Sequence, residues 1–402
     1  MKTETAALNG HEISSERLSD GKDGVSKQTI IFVINSIGFG GAERALSNIL
    51  EAIGARASRY AVRVVLLDRL PDARSLPEYV KIDRLDSRGS LWRSIYLLRK
   101  FLRSHRPTLV VSLLVRANVS TGLVARWHNL KHIACERMHL SSHLDGRYSG
   151  LKRILVGLAP RVIYRHIPLM LGVSSGVSKD LVAKFGVHPD HIRTIHNPYN
   201  LDAIRLDGQA QPEIDLPGSF IIAVGRLEPS KNFAQLVSAF LVSETKGDLV
   251  IMGEGSSRSA LEGQIRAAGA SDRIHLIGYM RNPFAIISRA DYFVSSSLNE
   301  GFPNAMVEAM VLGKAVVATD CPSGPAEILV GTAKPGSGTI CEGEFGLLVP
   351  VNSVEAMAAA MRSMNNAVIR RKYEERAAQR AEDFALIRIA DHYWSVFDEM
   401  SE

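Results

Sequence analysis

Glu300 and Glu308 stand eight residues apart in the stretch SSSLNEGFPNAMVEAMVLGKAVVATD, Ser295 to Asp320. Glu300 lies where glycine, proline and asparagine break the pattern, and Pro303 suits the first turn of a helix. Asn304 to Leu312 are good helix formers stopped by Gly313, so Glu308, four residues after Asn304, shares its face of the helix. An apolar run, Asp291 to Ser295, precedes the loop and reads as a buried strand; Ala315 to Thr319 reads as the next. A strand, a tight loop and a helix N-terminus leave amide N–H groups without intrahelical partners, which is an anion site. Amide donors flanked by two carboxylate acceptors suit a ligand with phosphates and vicinal hydroxyls, a sugar nucleotide. The same two glutamates also fit a plainer description, as solvated charges near a helix start whose dipole favours them.

Further groups of this kind recur at other strand ends. GRLEPSKN, Gly225 to Asn232, puts the Arg226 guanidinium and the Lys231 ammonium five residues apart around a turn, a workable clamp for a diphosphate. Met252-Gly253-Glu254-Gly255 and Ile277-Gly278-Tyr279 end two more strands, and Gly40-Gly41 precede a helix, where a bare backbone can approach a ligand closely. Each of these also serves as an ordinary turn between a strand and a helix.

The elements that must carry these loops alternate. Strands are expected at Thr29–Asn35, Ala61–Leu67, Thr108–Leu113, Lys131–Cys135, Leu169–Val173 and Ile192–His196. In the second half they are expected at Phe220–Val224, Leu249–Met252, Ile274–Ile277, Tyr292–Ser295, Ala315–Ala318 and Leu347–Val349, with helical stretches between. Alternation of this kind predicts parallel sheets covered on both faces. The fold class is therefore α/β, two Rossmann-like doubly wound domains facing each other across a cleft, with ligands at the carboxyl ends of the strands. The expected boundaries are a disordered tail over 1–27, a first domain over 28–200, a Pro/Gly-rich linker over 201–217 and a second domain over 218–384. A last helix, 385–402, is expected to pack back onto the first domain.

Composition narrows the function. A chain of 402 residues can bury two cores, and 46% hydrophobic with 22% charged residues is ordinary for a globular protein. The net charge of +6 is too mild to argue for nucleic acid. Cys135, Cys321 and Cys341 are too scattered for a disulfide framework or metal cluster, which fits a cytoplasmic setting. No apolar run is long enough to span a bilayer.

Taken together these residues resemble the family 4 glycosyltransferases of the GT-B fold, over about residues 29 to 400. The most specific part is the Glu-x7-Glu pattern of Glu300 and Glu308 in EGFPNAMVE; GRLEPSKN, GEG, Gly40-Gly41 and DCPSGPAEIL (320–329) agree in order and spacing. The resemblance implies a retaining reaction without metal or cofactor, the nucleotide sugar (UDP- or GDP-linked) being a substrate. Arg226 and Lys231 would hold the donor diphosphate, Glu308 the ribose and Glu300 the donor sugar. Tyr279 would lie near the base and Gly41 near the phosphate, with Gly40, Asn232, Gly255, Gly301, Phe302, Asn304 and Ala305 completing the donor site. Family members often carry a first-domain His against the donor sugar. Here the matching stretch reads Glu136-Arg137-Met138-His139, so the role falls to His139 or to Glu136 or Arg137 on the acceptor side.

Two basic stretches bear on the acceptor. Leu91 to Arg103 and Arg147 to His166 mix arginines with apolar residues, and the second holds five basic residues and no acid. Such helices can lie in an anionic membrane interface, or be domain helices with a solvated face; the second is read as membrane-facing. The leading expectation is sugar transfer to a lipid-linked or polysaccharide acceptor, peripherally at the cytoplasmic membrane face. A soluble acceptor, an epimerase or a donor-binding pseudoenzyme are the alternatives.

Overall fold

The computed structural model describes residues 27–38, 40–331 and 340–402; the expected N-terminal tail lies, but for Lys27, outside them. The first sheet contains β1 (Gln28–Ile34), β2 (Tyr60–Leu66), β3 (Lys81–Arg84), β4 (Leu109–Leu113), β5 (His132–Glu136), β6 (Leu169–Gly172) and β7 (Ile192–Thr194). Its order is β3-β2-β1-β4-β5-β6-β7, all parallel. β1, β4, β5 and β6 are almost wholly buried, because helices cover both faces, and their runs are correspondingly apolar rather than alternating.

The second sheet contains β8 (Phe220–Val224), β9 (Asp248–Met252), β10 (Ile274–Gly278), β11 (Phe293–Ser295), β12 (Val316–Thr319), β13 (Cys341–Glu342) and β14 (Leu347–Val349). Its order is β10-β9-β8-β11-β12-β14-β13, with only the edge pair β13–β14 antiparallel. In both sheets the order reverses beside the first strand, and ligands bind at such switch points. Two doubly wound sheets facing each other match the architecture expected from alternation.

The first sheet is covered on one side by α2 (Leu91–His105), α3 (Val115–His128), α5 (Gly150–Tyr164) and α6 (Ser175–Phe185), packed in that lateral order. Gly122 makes the α3–α5 approach possible, since a Cβ there would lie 2.6 Å from Ile163 Cγ2. The other side is covered by α1 (Gly41–Glu51) and by the C-terminal helix Leu386–Ser401. α4 (Leu140–Arg147) leads from β5 into α5. The C-terminal helix shares a core with β1, β2 and α1. Trp394 stacks on Tyr60 at 5.9 Å and donates its indole N–H to Ile49 O at 2.8 Å, while Tyr393 donates to Ile195 O.

Two expectations are corrected. Residues 201–208 are not open linker but a helix, α7 (Leu201–Gly208), capped by Asn200, with Leu201 and Ile204 buried against the second domain. Apolar spacing too short to show a period hid it. β3 and β13 were not expected at all: KIDR is a charged, half-exposed edge strand and CE is two residues long.

Replacing Trp394 with Ala removes a wholly buried indole and orphans a carbonyl, so a loss of about 3–5 kcal/mol is expected. Urea unfolding of the two proteins checks it; a loss below about 1 kcal/mol would mean the C-terminal helix is not integral to the first domain.

Candidate active site

β8 and β11 are neighbours, and the loops leaving their carboxyl ends are sewn together. Ser296 Oγ donates to Lys231 O at 2.8 Å and Leu298 N to Ser230 O at 2.8 Å. This brings the Lys231 ammonium onto Glu300, whose Oε1 also accepts from Ser297 Oγ at 2.7 Å. The Arg226 guanidinium stays exposed on the same rim. Asn232 turns the chain with a left-handed φ of 50°.

The helix Asn304–Val311 begins where the first domain arrives. Asn304 Oδ1 accepts from Asn197 Nδ2 at 2.8 Å and from Tyr199 OH at 2.5 Å. A Cβ on Gly41 would lie 2.2 Å from Asn304 Nδ2, and one on Gly301 would lie 2.0 Å from Arg137 O. These two glycines are required because backbone from one domain meets the other there. One turn further, buried Glu308 forms an ion pair with Arg44 of α1. Burial and the nearby Arg74 charge press the Arg44 pKa below its usual value, against the opposing pull of Tyr199 and Tyr279. The structure thus gathers Gly41, Glu300, Gly301, Asn304, Ala305, Glu308 and Lys231 at one junction, with Arg226, Gly40 and Tyr279 exposed at its edge.

Other expected residues have different surroundings. Phe302 stacks on His196 at 5.1 Å and meets Phe384 edge-on, so its ring is interdomain core and only its backbone borders the site. Gly255 packs beneath Leu227, whose carbonyl a Cβ would meet at 2.4 Å; its bareness serves a loop crossing. Glu136 does not face an acceptor. It is wholly buried, accepts from Arg137 N and from Tyr164 OH of α5 at 2.8 Å, and burial outweighs those hydrogen bonds and raises its pKa to about 7. His139 is held locally by Ser142 Oγ at 2.8 Å, with Asp180 Oδ2 3.9 Å away. Arg137 does reach the junction: Nη1 donates to Asn197 Oδ1 at 2.6 Å, the guanidinium lies over Tyr393, and Nε and Nη2 are buried without a hydrogen-bond partner.

Arg44, Asn197 and Tyr199 were not singled out from the sequence, although Arg44 follows Gly41 by three residues at the start of an amphipathic helix. A second cross-domain cluster was missed as well. Glu327 accepts from Ser175 N and Oγ, both at 2.8 Å, and pairs with His196 Nε2 at 2.7 Å; Ser174 and Ser323 hydroxyls meet at 2.7 Å. Burial alone would raise the Glu327 pKa, but the His196 and Ser175 hydrogen bonds win and hold it low. Among the described residues no cluster of His, Cys, Asp and Glu could hold a metal.

Glu136 fixes a pH dependence. Folded, it keeps its proton to about pH 7; unfolded, it releases it near 4.5, so stability falls as pH rises through that window. Glu136→Gln cannot titrate, so its stability relative to wild type should improve by about 2–3 kcal/mol between pH 4.5 and 8, read by denaturant melts at each pH. A constant difference across that range would show that Glu136 ionises normally.

Known proteins share this organisation. The family described as Glycosyltransferase Family 4 matches residues 39–203, and Glycosyl transferases group 1 matches 207–383. An N-acetylgalactosamine-N,N'-diacetylbacillosaminyl-diphospho-undecaprenol 4-alpha-N-acetylgalactosaminyltransferase of Campylobacter jejuni is 27% identical over 90% of this chain and 97% of its own. A lipopolysaccharide 1,6-galactosyltransferase of Salmonella typhimurium is 28% identical over 41% of this chain and 45% of its own. Among solved structures, Anabaena Alr3699/HepE in complex with UDP superposes with a TM-score of 0.69 at 16% identity, covering 92% of this chain and 100% of that one. Sucrose-phosphate synthase from Thermosynechococcus elongatus reaches 0.76 at 18% identity, over 93% and 99%. Two matched halves in the right order, two facing doubly wound sheets and a Glu-x7-Glu at the second switch point lead to one conclusion: the chain belongs to the family 4 glycosyltransferases and has the GT-B fold.

Proposed function

We propose that this glycosyltransferase moves a sugar, with retention and without a metal, from a nucleotide-sugar donor to a lipid-linked oligosaccharide or polysaccharide. The observation that carries the reading is the placement of Glu300 beside Lys231, and of Glu308 one turn into the adjoining helix beside Arg44, at one strand-order reversal. The Campylobacter relative's name specifies a diphospho-undecaprenol acceptor, and HepE was solved with UDP, which supports both substrate classes.

Both carboxylates are already matched by cations, so a donor enters by exchange. Its ribose hydroxyls would replace Arg44 as partners of Glu308, and its sugar hydroxyls would share Glu300 with Lys231. The departing diphosphate takes its charge balance from Arg226, Lys231 and the amides of Asn304 and Ala305, an electrostatic contribution that needs no protein nucleophile. Of the first-domain candidates, Arg137 has buried N–H groups left free beside the Gly301 loop, so it suits the sugar side better than His139.

A peripheral site at the cytoplasmic membrane face suits such an acceptor. No helix among the described residues is long and apolar enough to cross a membrane. α5 instead exposes Leu151, Ile154, Leu155 and Leu158 between Lys152, Arg153, Arg161 and Arg165.

Glu308→Ala should weaken binding of the matching nucleoside diphosphate by about 1.5–3 kcal/mol in titration calorimetry; unchanged affinity would end the ribose assignment. Labelled UDP- and GDP-sugars, incubated with and without membranes in EDTA, test the reaction. Label should pass to lipid in EDTA. Transfer that vanishes with EDTA and returns with Mn²⁺ would overturn metal independence, and transfer without membranes would favour a soluble acceptor.

A further inference from the structure

Between Arg88 and Lys179 the chain holds sixteen Lys and Arg but only two acids, Glu136 and Asp145. Glu136 is buried. α2, α3 and α5 contain no acid at all, and they lie side by side on one face of the first sheet. Nine of those cations lie on the three helices; Arg116 pairs with Asp68 and Arg153 with Asp145, while the other seven form no ion pair among the described residues.

That surface is also aromatic. On α2 the residues Ile95, Leu98 and Leu102 face the core, while Trp92, Tyr96, Arg99 and Arg103 recur at i, i+4, i+7 and i+11 and form one outward stripe. Trp92 is 77% exposed, Tyr96 69% and Trp127, near the end of α3, 53%. The Arg99 guanidinium lies 5.5 Å from the Trp127 ring centroid and ties the two helices' outer faces together. Folding alone favours burying such rings, and none of the three touches the active site. Tryptophan and tyrosine with arginines and no carboxylates complement an anionic lipid interface, where the rings sit at headgroup level and the cations meet phosphates.

We propose that the α2–α3 face is a second interfacial anchor, built for an anionic phospholipid surface through Trp92, Tyr96 and Trp127 with Arg93, Arg99, Lys100 and Arg103. It rests on the peripheral-membrane reading of α5 and deepens it. A single helix lying on a bilayer leaves the domain free to roll about that helix's axis. Two lines of contact, one on each side of α3, remove that freedom. The strands' carboxyl ends, where α2 and α5 both begin, are then held at one attitude to the lipid surface.

The chain's three tryptophans make the test direct. Trp394 is fully buried, so a change in emission on adding vesicles reports Trp92 and Trp127. Phosphatidylglycerol vesicles at low salt should shift the emission to the blue, and bromine-labelled acyl chains should quench it; phosphatidylcholine vesicles should do neither. Trp92→Phe and Trp127→Phe should each remove about half of the change, and the triple variant Trp92→Ser, Tyr96→Ser, Trp127→Ser should lower vesicle affinity about tenfold, near 1.4 kcal/mol. All three positions are exposed, and an unchanged thermal midpoint confirms an intact fold. Pelleting with phosphatidylglycerol but no emission change would overturn this anchor and leave α5 docking standing. An emission change that survives Lys152, Arg153, Arg161 and Arg165 all changed to Ser would support the anchor and remove α5 instead. Neither pelleting nor shift would overturn both, and a shift that grows with protein concentration alone would assign the face to a second copy and overturn the proposal.

Discussion

The cleft is organised around one side-chain amide. Asn304 presents its oxygen to two donors of the first domain and its nitrogen to a glycine that has no side chain to obstruct it. Asn304 is half-buried, and a hydrogen bond of this kind contributes about 1 kcal/mol, so the pair favours one relative position of the two domains. That position sets the start of the helix carrying Glu308, the approach of the Arg137 carbonyl to Gly301, and the pairing of Arg44 with Glu308. The stacked rings of His196 and Phe302 fill the space beside it.

Electrostatics follow from that closure. Carboxylates set deep between domains need partners nearby: Lys231 pairs with Glu300 from its own domain and Arg44 with Glu308 from the other, while Glu327 is held by hydrogen bonds to Ser175 and His196. The only fully buried acid of the first domain is Glu136 among the described residues, and it lacks a cation; burial drives it towards neutrality instead. Whether an acid is matched by a cation or by its own proton separates the site from the scaffold.

Much of this was legible in the sequence. Buried parallel strands advertise themselves as short apolar runs, and Ile30 to Ile34 or Phe220 to Ala223 could hardly be anything else. The donor loop was legible because its residues are close in sequence, Glu300 to Glu308, and need no knowledge of the other domain. What depends on distant chain was not. Arg44 is an ordinary helix arginine until Glu308 is placed opposite it, and Glu136 looks like a cleft acid until α5 supplies Tyr164. Phe302 and Gly255 sit inside the right motifs, yet packing between loops accounts for them. Sequence spacing reports which loops matter and does not report which way a side chain turns.

The C-terminal helix has a consequence for how the protein is made. Its residues Tyr393, Trp394 and Phe397 complete the hydrophobic layer over β1 and β2, which are synthesised long before it. Domains commonly fold in order of synthesis. Here the first domain cannot close its core until the helix Leu386–Ser401 has been synthesised. Until then Phe32 and Tyr60 wait for partners roughly 330 to 365 residues downstream. A nascent chain in that condition exposes apolar surface throughout, and a chain interrupted before Leu386 would leave the first domain unfinished even though all seven of its strands were present.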